Sequence, residues 1–283
     1  MTSSATAISR IGVFDSGIGG LSVLGALRKA LPQEQFVYVA DAGHAPYGER
    51  DSAHVLRRSQ VLADYLYRTH QVKALVLACN TATATAVASL RQQYASLPIV
   101  GIEPALKPAA AQSGTGVVAV MATRSTLESE KFHALLAAQA PSVQYLLQAC
   151  DGLAAAIEQS DRLEIEALCR RYVQSLRQAK DGGARIDTVV LGCTHYALAV
   201  DALSKAWGPG VTLLDAGEPV ARRTRQVLEA AGKLQERRAH DAPQGNATDS
   251  LFYTTGDPVA LDQALNDWLL KPMSHHATKL LLP

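Results

Sequence analysis

Short apolar runs alternate with helical patterns along most of this chain. Eight runs of four to six residues have the length and apolar character of buried strands: 11–14, 35–40, 74–78, 99–102, 117–121, 143–147, 188–191 and 211–214. Between them, apolar residues recur at intervals near 3.6, which predicts helices over 21–31, 51–69, 81–94, 125–139 and 162–180. Repeated strand–helix units predict an α/β fold whose parallel sheets are covered by helices on both faces.

The two halves of the chain contain the same short pattern. Residues 74–81 and 188–195 both read as an apolar strand, a small residue, a cysteine and two polar residues before a helix. Open α/β sheets bind their ligands at the carboxyl ends of the strands. We therefore predict two similar open parallel-sheet domains related by pseudo-twofold symmetry, with the active site in the cleft between them.

Two strand ends suggest where the chain passes between these domains. Residues 101–104 and 214–219 each place an acidic residue beside Pro or Gly directly after a strand. We predict a first domain of residues 1–103 plus 214–283 and a second domain of residues 104–213. A polar stretch, 235–250, has the composition of a loop, and one more strand, 251–255, leads to a last helix.

Composition narrows the class of protein. The 283 residues carry 27 basic and 26 acidic side chains, and a net charge of +1 gives no general attraction to nucleic acid or to a membrane surface. Apolar residues make up 48% of the chain, which excludes a disordered protein. The chain has neither an apolar leader nor an apolar run long enough to cross a bilayer, so we expect a soluble cytoplasmic protein.

Four cysteines are spread along the chain, too far apart for a disulfide framework or a zinc site. Cys79 and Cys193 each follow a strand and precede a helix, whose N-terminus favours the thiolate and so lowers the thiol pKa. We expect these two to act as bases. Cys150 and Cys169 lack such a context and are expected to pack as ordinary core residues.

Polar residues beside these strand ends admit more than one interpretation. Asn80-Thr81 and Thr194-His195 could hold a substrate carboxylate or simply cap a helix. Asp15-Ser16 could orient a substrate ammonium group, tune a thiol, or cap the next helix. Residues 17–20 and Asp41 partly mimic a dinucleotide site, although the third glycine is replaced by Ser22, which disfavours NAD binding.

Five segments closely resemble motifs of the glutamate racemase family. They are 15–21, 46–48, 78–82, 101–104 and 191–196, and the resemblance runs in order over roughly residues 8 to 260. It implies interconversion of L- and D-glutamate without cofactor or metal, supplying D-glutamate for peptidoglycan. It also implies glutamate as the small-molecule partner. We expect a homodimer, and the charge balance and the lack of a long apolar run predict no nucleic-acid or membrane partner.

The same resemblance implies a role for individual residues. Cys79 takes the α-proton from D-glutamate and Cys193 takes it from L-glutamate, while Asp15 and His195 assist the neighbouring thiols. Substrate binding is assigned to Asp15, Ser16, Tyr47, Gly48, Asn80, Thr81, Thr123, Thr194 and His195. Asp41 and Glu158 fall where the family places further acidic residues near the site.

The chain departs from the family pattern at three places. His44 stands where Arg is usual in the family, and Ala197 stands where Pro is usual. Ala216-Gly217, after Asp215, stand where the family usually has a sequence that contains Ser. Rival hypotheses are an aspartate or hydantoin racemase, which would keep both thiols around a different pocket, and an NAD-dependent enzyme. A non-catalytic protein that acts on a partner such as a topoisomerase is a third, and it predicts lost or displaced cysteines.

Overall fold

The structure, a computed structural model, describes residues 9–179, 185–235, 250–269 and 276–283. The described residues form strands β1 to β10 at Ile11–Asp15, Phe36–Ala40, Ala74–Leu77, Ile99–Gly101, Val117–Ala122, Gln144–Ala149, Thr188–Leu191, Thr212–Leu214, Leu251–Thr254 and Thr278–Lys279. All of the strand pairings are parallel. The predicted α/β class with parallel sheets is confirmed.

The strands form two sheets with the same internal order. The first sheet runs β10-β9-β2-β1-β3-β4 and the second runs β6-β5-β7-β8. If β5 is matched to β1, then β6, β7 and β8 match β2, β3 and β4 in turn. The repeat seen in the sequence therefore corresponds to a repeat in topology, and β3 and β7 are equivalent strands.

Helices α1 to α11 lie between and around the strands. They span Leu21–Ala30, Ser52–His70, Asn80–Gln93, Leu106–Gln112, Arg124–Leu127, Glu130–Ala137, Leu153–Glu158, Arg162–Gln178, Val200–Trp207, Gly217–Ala230 and Pro258–Trp268. β1, β2, β3 and β5 are buried along their whole length, which explains why their sequences are continuous apolar runs. No helix in the described ranges is long and apolar enough to cross a membrane.

The chain enters the second sheet after β4 and leaves it after β8, when α10 returns to pack on α1. The predicted domain boundaries, 1–103 plus 214–283 and 104–213, remain a prediction of which segments form independent units. The chain therefore crosses between the two sheets twice, and the packing of α10 on α1 holds the second crossing against the first sheet.

The structure differs from the predicted helices in two ways. The helix predicted over 125–139 is two helices, because the Ser129 hydroxyl accepts the Phe132 N–H and begins α6. The predicted helix ranges also leave out α4, α7, α9 and α10. The segment after Cys193 is a 3₁₀ helix, Thr194–Ala199, which leads into α9. The two cysteine contexts are therefore similar at the strand but different at the helix.

Candidate active site

Both predicted base cysteines lie just beyond equivalent strands. Cys79 is two residues after β3 and Cys193 is two residues after β7, while Asp15 is the last residue of β1. All three are buried, with Cys79 5% and Cys193 8% exposed. The carboxyl ends of the central strands therefore bring a thiol from each half of the chain into the interior.

Cys79 occupies the N-cap position of α3. Its sulfur accepts the Ala82 N–H at 3.4 Å, and its thiol lies 3.8 Å from the Ser16 hydroxyl. Burial raises the pKa of Cys79 well above its ordinary value, the charge of Asp15 adds to this effect, and the Ala82 N–H opposes it. The expectation of a lowered thiol pKa is wrong for Cys79, because desolvation outweighs the helix N-terminus.

Cys193 has a different set of neighbours. His195 Nδ1 lies 3.9 Å from its sulfur, and His195 Nε2 lies 2.7 Å from Glu158 Oε2. Glu158 also accepts the Ile18 N–H at 3.0 Å, which ties it to the loop after β1. Burial opposes the charged imidazole, but hydrogen bonds to Cys193 and Glu158 outweigh it and raise the pKa of His195. This thiol therefore has an imidazole–carboxylate pair beside it.

Asp15 is completely buried and only partly satisfied. Its Oδ2 accepts the Gly20 N–H at 2.7 Å, whereas its Oδ1 has no partner among the described residues. Burial raises the pKa of Asp15 to about 6, against the lowering effect of His195. The side-chain amide of Asn80 has no partner on either its nitrogen or its oxygen within the described chain. Unpaired buried polar atoms point to a polar ligand at this place.

Hydroxyl groups from the two halves of the chain meet at the start of α3, the helix that Cys79 caps. Thr81 Oγ1, on α3, lies 3.1 Å from Thr123 Oγ1, and the Thr123 hydroxyl donates to Thr126 at 2.9 Å. Thr126 was not identified from the sequence, although its place three residues after an N-cap threonine is a usable signal. The remaining candidates, Ser16 and Thr194, are also buried. A carboxylate could be bound by this set of donors.

The loop after β2 brings Tyr47 and Gly48 to the same region. A side chain on Gly48 would place its Cβ 2.7 Å from Thr123 Cγ2, so the loop touches the second half of the chain closely. Tyr47 is 1% exposed, and its hydroxyl donates to Asp41 at 2.5 Å. Arg58, which the sequence analysis did not single out, also binds Asp41.

The glycines after β1 are required by contacts within the protein. A Cβ on Gly17 would overlap the Glu158 carboxylate, and a Cβ on Gly19 would overlap the His195 ring. The Ile18 N–H in this loop already binds Glu158. The anion that approaches this backbone is therefore the protein's own carboxylate, which removes the main argument for a dinucleotide phosphate there.

Cys150 and Cys169 are free thiols in the core, at 2% and 0% exposure. Burial raises the pKa of both, well above the ordinary value for Cys150 and to about 11 for Cys169. Within the described part of the chain, neither has an imidazole–carboxylate pair of the kind seen beside Cys193. Cys169 packs within α8, as expected of an ordinary core residue. Cys150 directly follows β6, and Cys193 is among the groups that raise its pKa, so the expectation that Cys150 lacks a strand-end context is wrong.

Comparison with known proteins gives a consistent result. The chain matches the family "Asp/Glu/Hydantoin racemase" over residues 11–224. A glutamate racemase from Pseudomonas syringae pv. tomato is 44% identical over 250 residues, which are 88% of this chain and 86% of that protein. A glutamate racemase from Ectopseudomonas mendocina is 47% identical over 77% of this chain and 81% of its own.

Among solved structures, a glutamate racemase isoform from Bacillus anthracis has a TM-score of 0.79 at 29% identity, covering 96% of this chain and 98% of its own. The Escherichia coli glutamate racemase in complex with L-glutamate and the activator UDP-MurNAc-ala has a TM-score of 0.78 at 28% identity, covering 97% and 99%. The family match over residues 11–224 includes the strand ends that carry Asp15, Cys79 and Cys193. This chain belongs to the Asp/Glu/Hydantoin racemase family.

Proposed function

We propose that this protein interconverts L- and D-glutamate by direct proton transfer and supplies D-glutamate for peptidoglycan synthesis. The observation that carries the proposal is the pair of buried thiols, Cys79 and Cys193, beyond the equivalent strands β3 and β7. Their similarity to the cysteine motifs of glutamate racemases supports glutamate as the substrate, as do the names of the relatives.

The proposed mechanism uses the two thiols on opposite faces of the substrate Cα. Cys193 removes the α-proton of L-glutamate while the thiol of Cys79 donates a proton to the other face, and the roles reverse for D-glutamate. The sulfur that gives up its proton becomes a thiolate, and the sulfur that accepts one becomes a thiol. Each turnover therefore leaves the cysteines in exchanged states, which proton transfer must reset.

Asp15 and His195 are assigned to the proton balance of the thiols. Asp15, with a pKa of about 6, is mostly ionised at neutral pH, so it can accept the Cys79 proton or hold the substrate ammonium group. His195, bound to Glu158, can take the proton of Cys193 and return it. The two thiols thus have unlike partners, a carboxylate for one and an imidazole for the other.

Substrate carboxylates are assigned to the neutral donors around the thiols. These are Ser16, Tyr47, Gly48, Asn80, Thr81, Thr123 and Thr194. Tyr47 and Gly48 contribute backbone N–H groups, because the Tyr47 hydroxyl donates to Asp41, and the others contribute hydroxyl or amide groups. The unpaired amide of Asn80 supports this assignment, since a bound carboxylate would satisfy its nitrogen. The thiols themselves supply the acid and the base, so the proposed reaction uses no cofactor and no metal.

Three further features belong to the proposal. We infer a homodimer, a cytoplasmic location, and a division of the chain into residues 1–103 plus 214–283 and residues 104–213. Four free cysteines suit a reducing compartment, and the separate sheets suit the division. Light scattering would test the dimer, and separate expression of residues 104–213 would test whether that segment folds alone.

A chiral assay with L-glutamate, L-aspartate and a substituted hydantoin, each without added cofactor, tests the reaction and the substrate. We expect D-glutamate only. In deuterated water, product formed early from L-glutamate should carry deuterium at Cα while the remaining substrate stays protiated. Product that keeps the original hydrogen would overturn the two-thiol mechanism, and turnover of aspartate alone would overturn the substrate.

Cysteine variants test the assignment of the bases. Cys79→Ala and Cys193→Ala should each reduce racemisation by at least about 10²-fold, the lower end of the usual contribution of an acid–base group. Cys169→Ala is the matched control, because it removes an equally buried thiol from the middle of α8, and Cys150→Ala is a second control that removes a buried thiol at the end of the edge strand β6. A proposed base that tolerates Ala with near-normal turnover would refute its assignment.

A further inference from the structure

We propose that Arg58 is a positioning residue for substrate binding. It acts through Asp41 to hold the loop that carries Tyr47 and Gly48, and so sets the affinity of the site for glutamate. The inference rests on the proposed function, because it takes this loop to be part of the glutamate site. Arg58 does not itself belong to the set of donors assigned to the substrate.

Asp41 is the centre of a buried hydrogen-bond cluster. Arg58 binds it with two parallel bonds, Nε to Oδ2 and Nη2 to Oδ1, both at 3.0 Å. The Tyr47 hydroxyl donates to Oδ2 at 2.5 Å, the Thr255 hydroxyl donates to Oδ1 at 2.8 Å, and His44 Nδ1 lies 3.1 Å from Oδ1. Both oxygens are shared among several partners, so Asp41 holds together the residue that follows β9, the loop and α2.

Arg58 is unusual for a residue on a helix surface. It lies within α2, yet only 5% of it is exposed, and Asp41 beneath it is fully buried. The remaining guanidinium nitrogen, Nη1, donates to the backbone oxygen of Pro283. Each nitrogen of the buried Arg58 guanidinium has a hydrogen-bond acceptor, so the side chain keeps a single orientation, as a positioning residue must.

The charge states of Asp41 and Tyr47 are fixed at neutral pH. Burial pushes the pKa of Asp41 up, but hydrogen bonds from Arg58 and Tyr47 outweigh it and hold that pKa below its ordinary value. Burial and the neighbouring Asp41 charge raise the pKa of Tyr47, so its hydroxyl stays protonated. Because a tyrosine has one hydrogen to donate, and Asp41 receives it, this hydroxyl anchors the loop and cannot also donate to a substrate.

The loop depends on this anchor because it has little regular structure of its own. Residues 42–44 and 47–49 are two short 3₁₀ turns rather than part of the sheet. The Gly43 N–H binds the Thr255 hydroxyl, which is itself bound to Asp41, and Gly48 packs against Thr123. Loosening Asp41 would therefore release Tyr47 while leaving the thiols in place, which predicts weaker binding with an unchanged chemical step.

The test uses Arg58→Lys, which keeps the charge but loses the parallel pair of bonds. We expect KM for both glutamate enantiomers to rise about tenfold, the effect of losing one good hydrogen bond, with kcat changed less than about twofold. Tyr47→Phe keeps the Asp41–Arg58 pair intact and removes the hydrogen bond that ties the 47–49 turn to it, so it should raise KM in the same way.

Lys73→Met is the matched control. It breaks another buried ion pair, Lys73 to Glu34 at 2.6 Å, at the amino ends of the same sheet and away from the loop. This variant should lower the melting temperature and leave KM unchanged. An unchanged KM in Arg58→Lys or in Tyr47→Phe, a loss confined to kcat, or an equal rise of KM in Lys73→Met would overturn the inference. A wild-type protein that racemises no glutamate would instead refute the proposed function.

Discussion

Replacing Asp15 with asparagine should make the protein more stable and less active, and the gain in stability should depend on pH. Burial raises the pKa of this carboxyl from 3.8 to about 6 in the folded state. A carboxyl whose pKa is raised on folding favours the folded state at low pH, and that contribution is lost as the pH rises through the folded value. Above pH 7 the folded protein therefore carries the full cost of a buried charge.

The size of the effect follows from the pKa difference. The difference between 3.8 and about 6 lowers the free energy of unfolding by about 3 kcal/mol at pH 8. At pH 5 the free energy of unfolding is already lowered by about half of that amount. Asparagine is neutral at every pH, and its side-chain oxygen can still accept the Gly20 N–H that now binds Asp15. The free energy of unfolding of Asp15→Asn should therefore exceed that of the wild type at both pH values, and the excess should be larger at pH 8 than at pH 5.

Urea unfolding of both proteins at the two pH values measures the difference. Asp201→Asn is the control, since Asp201 is exposed in the first turn of α9 and carries no burial cost. This control should give the same difference from the wild type at both pH values. If Asp15→Asn gives no gain in stability, or a gain that does not grow with pH, then burial of the ionised Asp15 carboxylate does not lower the stability of the folded protein.

The activity of the same variant should fall, most strongly in kcat from D- to L-glutamate, where Cys79 is the proposed base; equal losses of kcat in both directions would contradict this. His195→Asn should lower kcat mainly for the conversion of L- to D-glutamate, and KM must change to match because the overall equilibrium is fixed. A loss mainly in the conversion of D- to L-glutamate would contradict the assignment of His195 to Cys193. Gly17→Ala should displace the Glu158 carboxylate and repeat the His195→Asn pattern, as measured by kcat in each direction. Glu158→Gln keeps the side-chain shape and should give a milder loss than Gly17→Ala; the opposite order would mean that charge rather than position matters.

The sequence by itself determined the class of fold and the position of the two proposed bases at the strand ends. A parallel strand buried on both faces must be a continuous apolar run, so β1, β3, β5 and β7 could be located directly. Cys79 and Cys193 follow such runs in the same local pattern, and the topology makes β3 and β7 equivalent. Local periodicity carries this information because strands and helices are regular over short distances.

Only the tertiary structure decided which distant side chains meet and how far each is removed from water. Arg58 looks like a solvent-facing residue of a helix until Asp41 is seen beneath it. The pKa of Cys79 was expected to fall because the adjacent helix is visible in the sequence, whereas the burial that raises it is not. Desolvation depends on everything that surrounds a group, and segments far apart in the chain supply those surroundings.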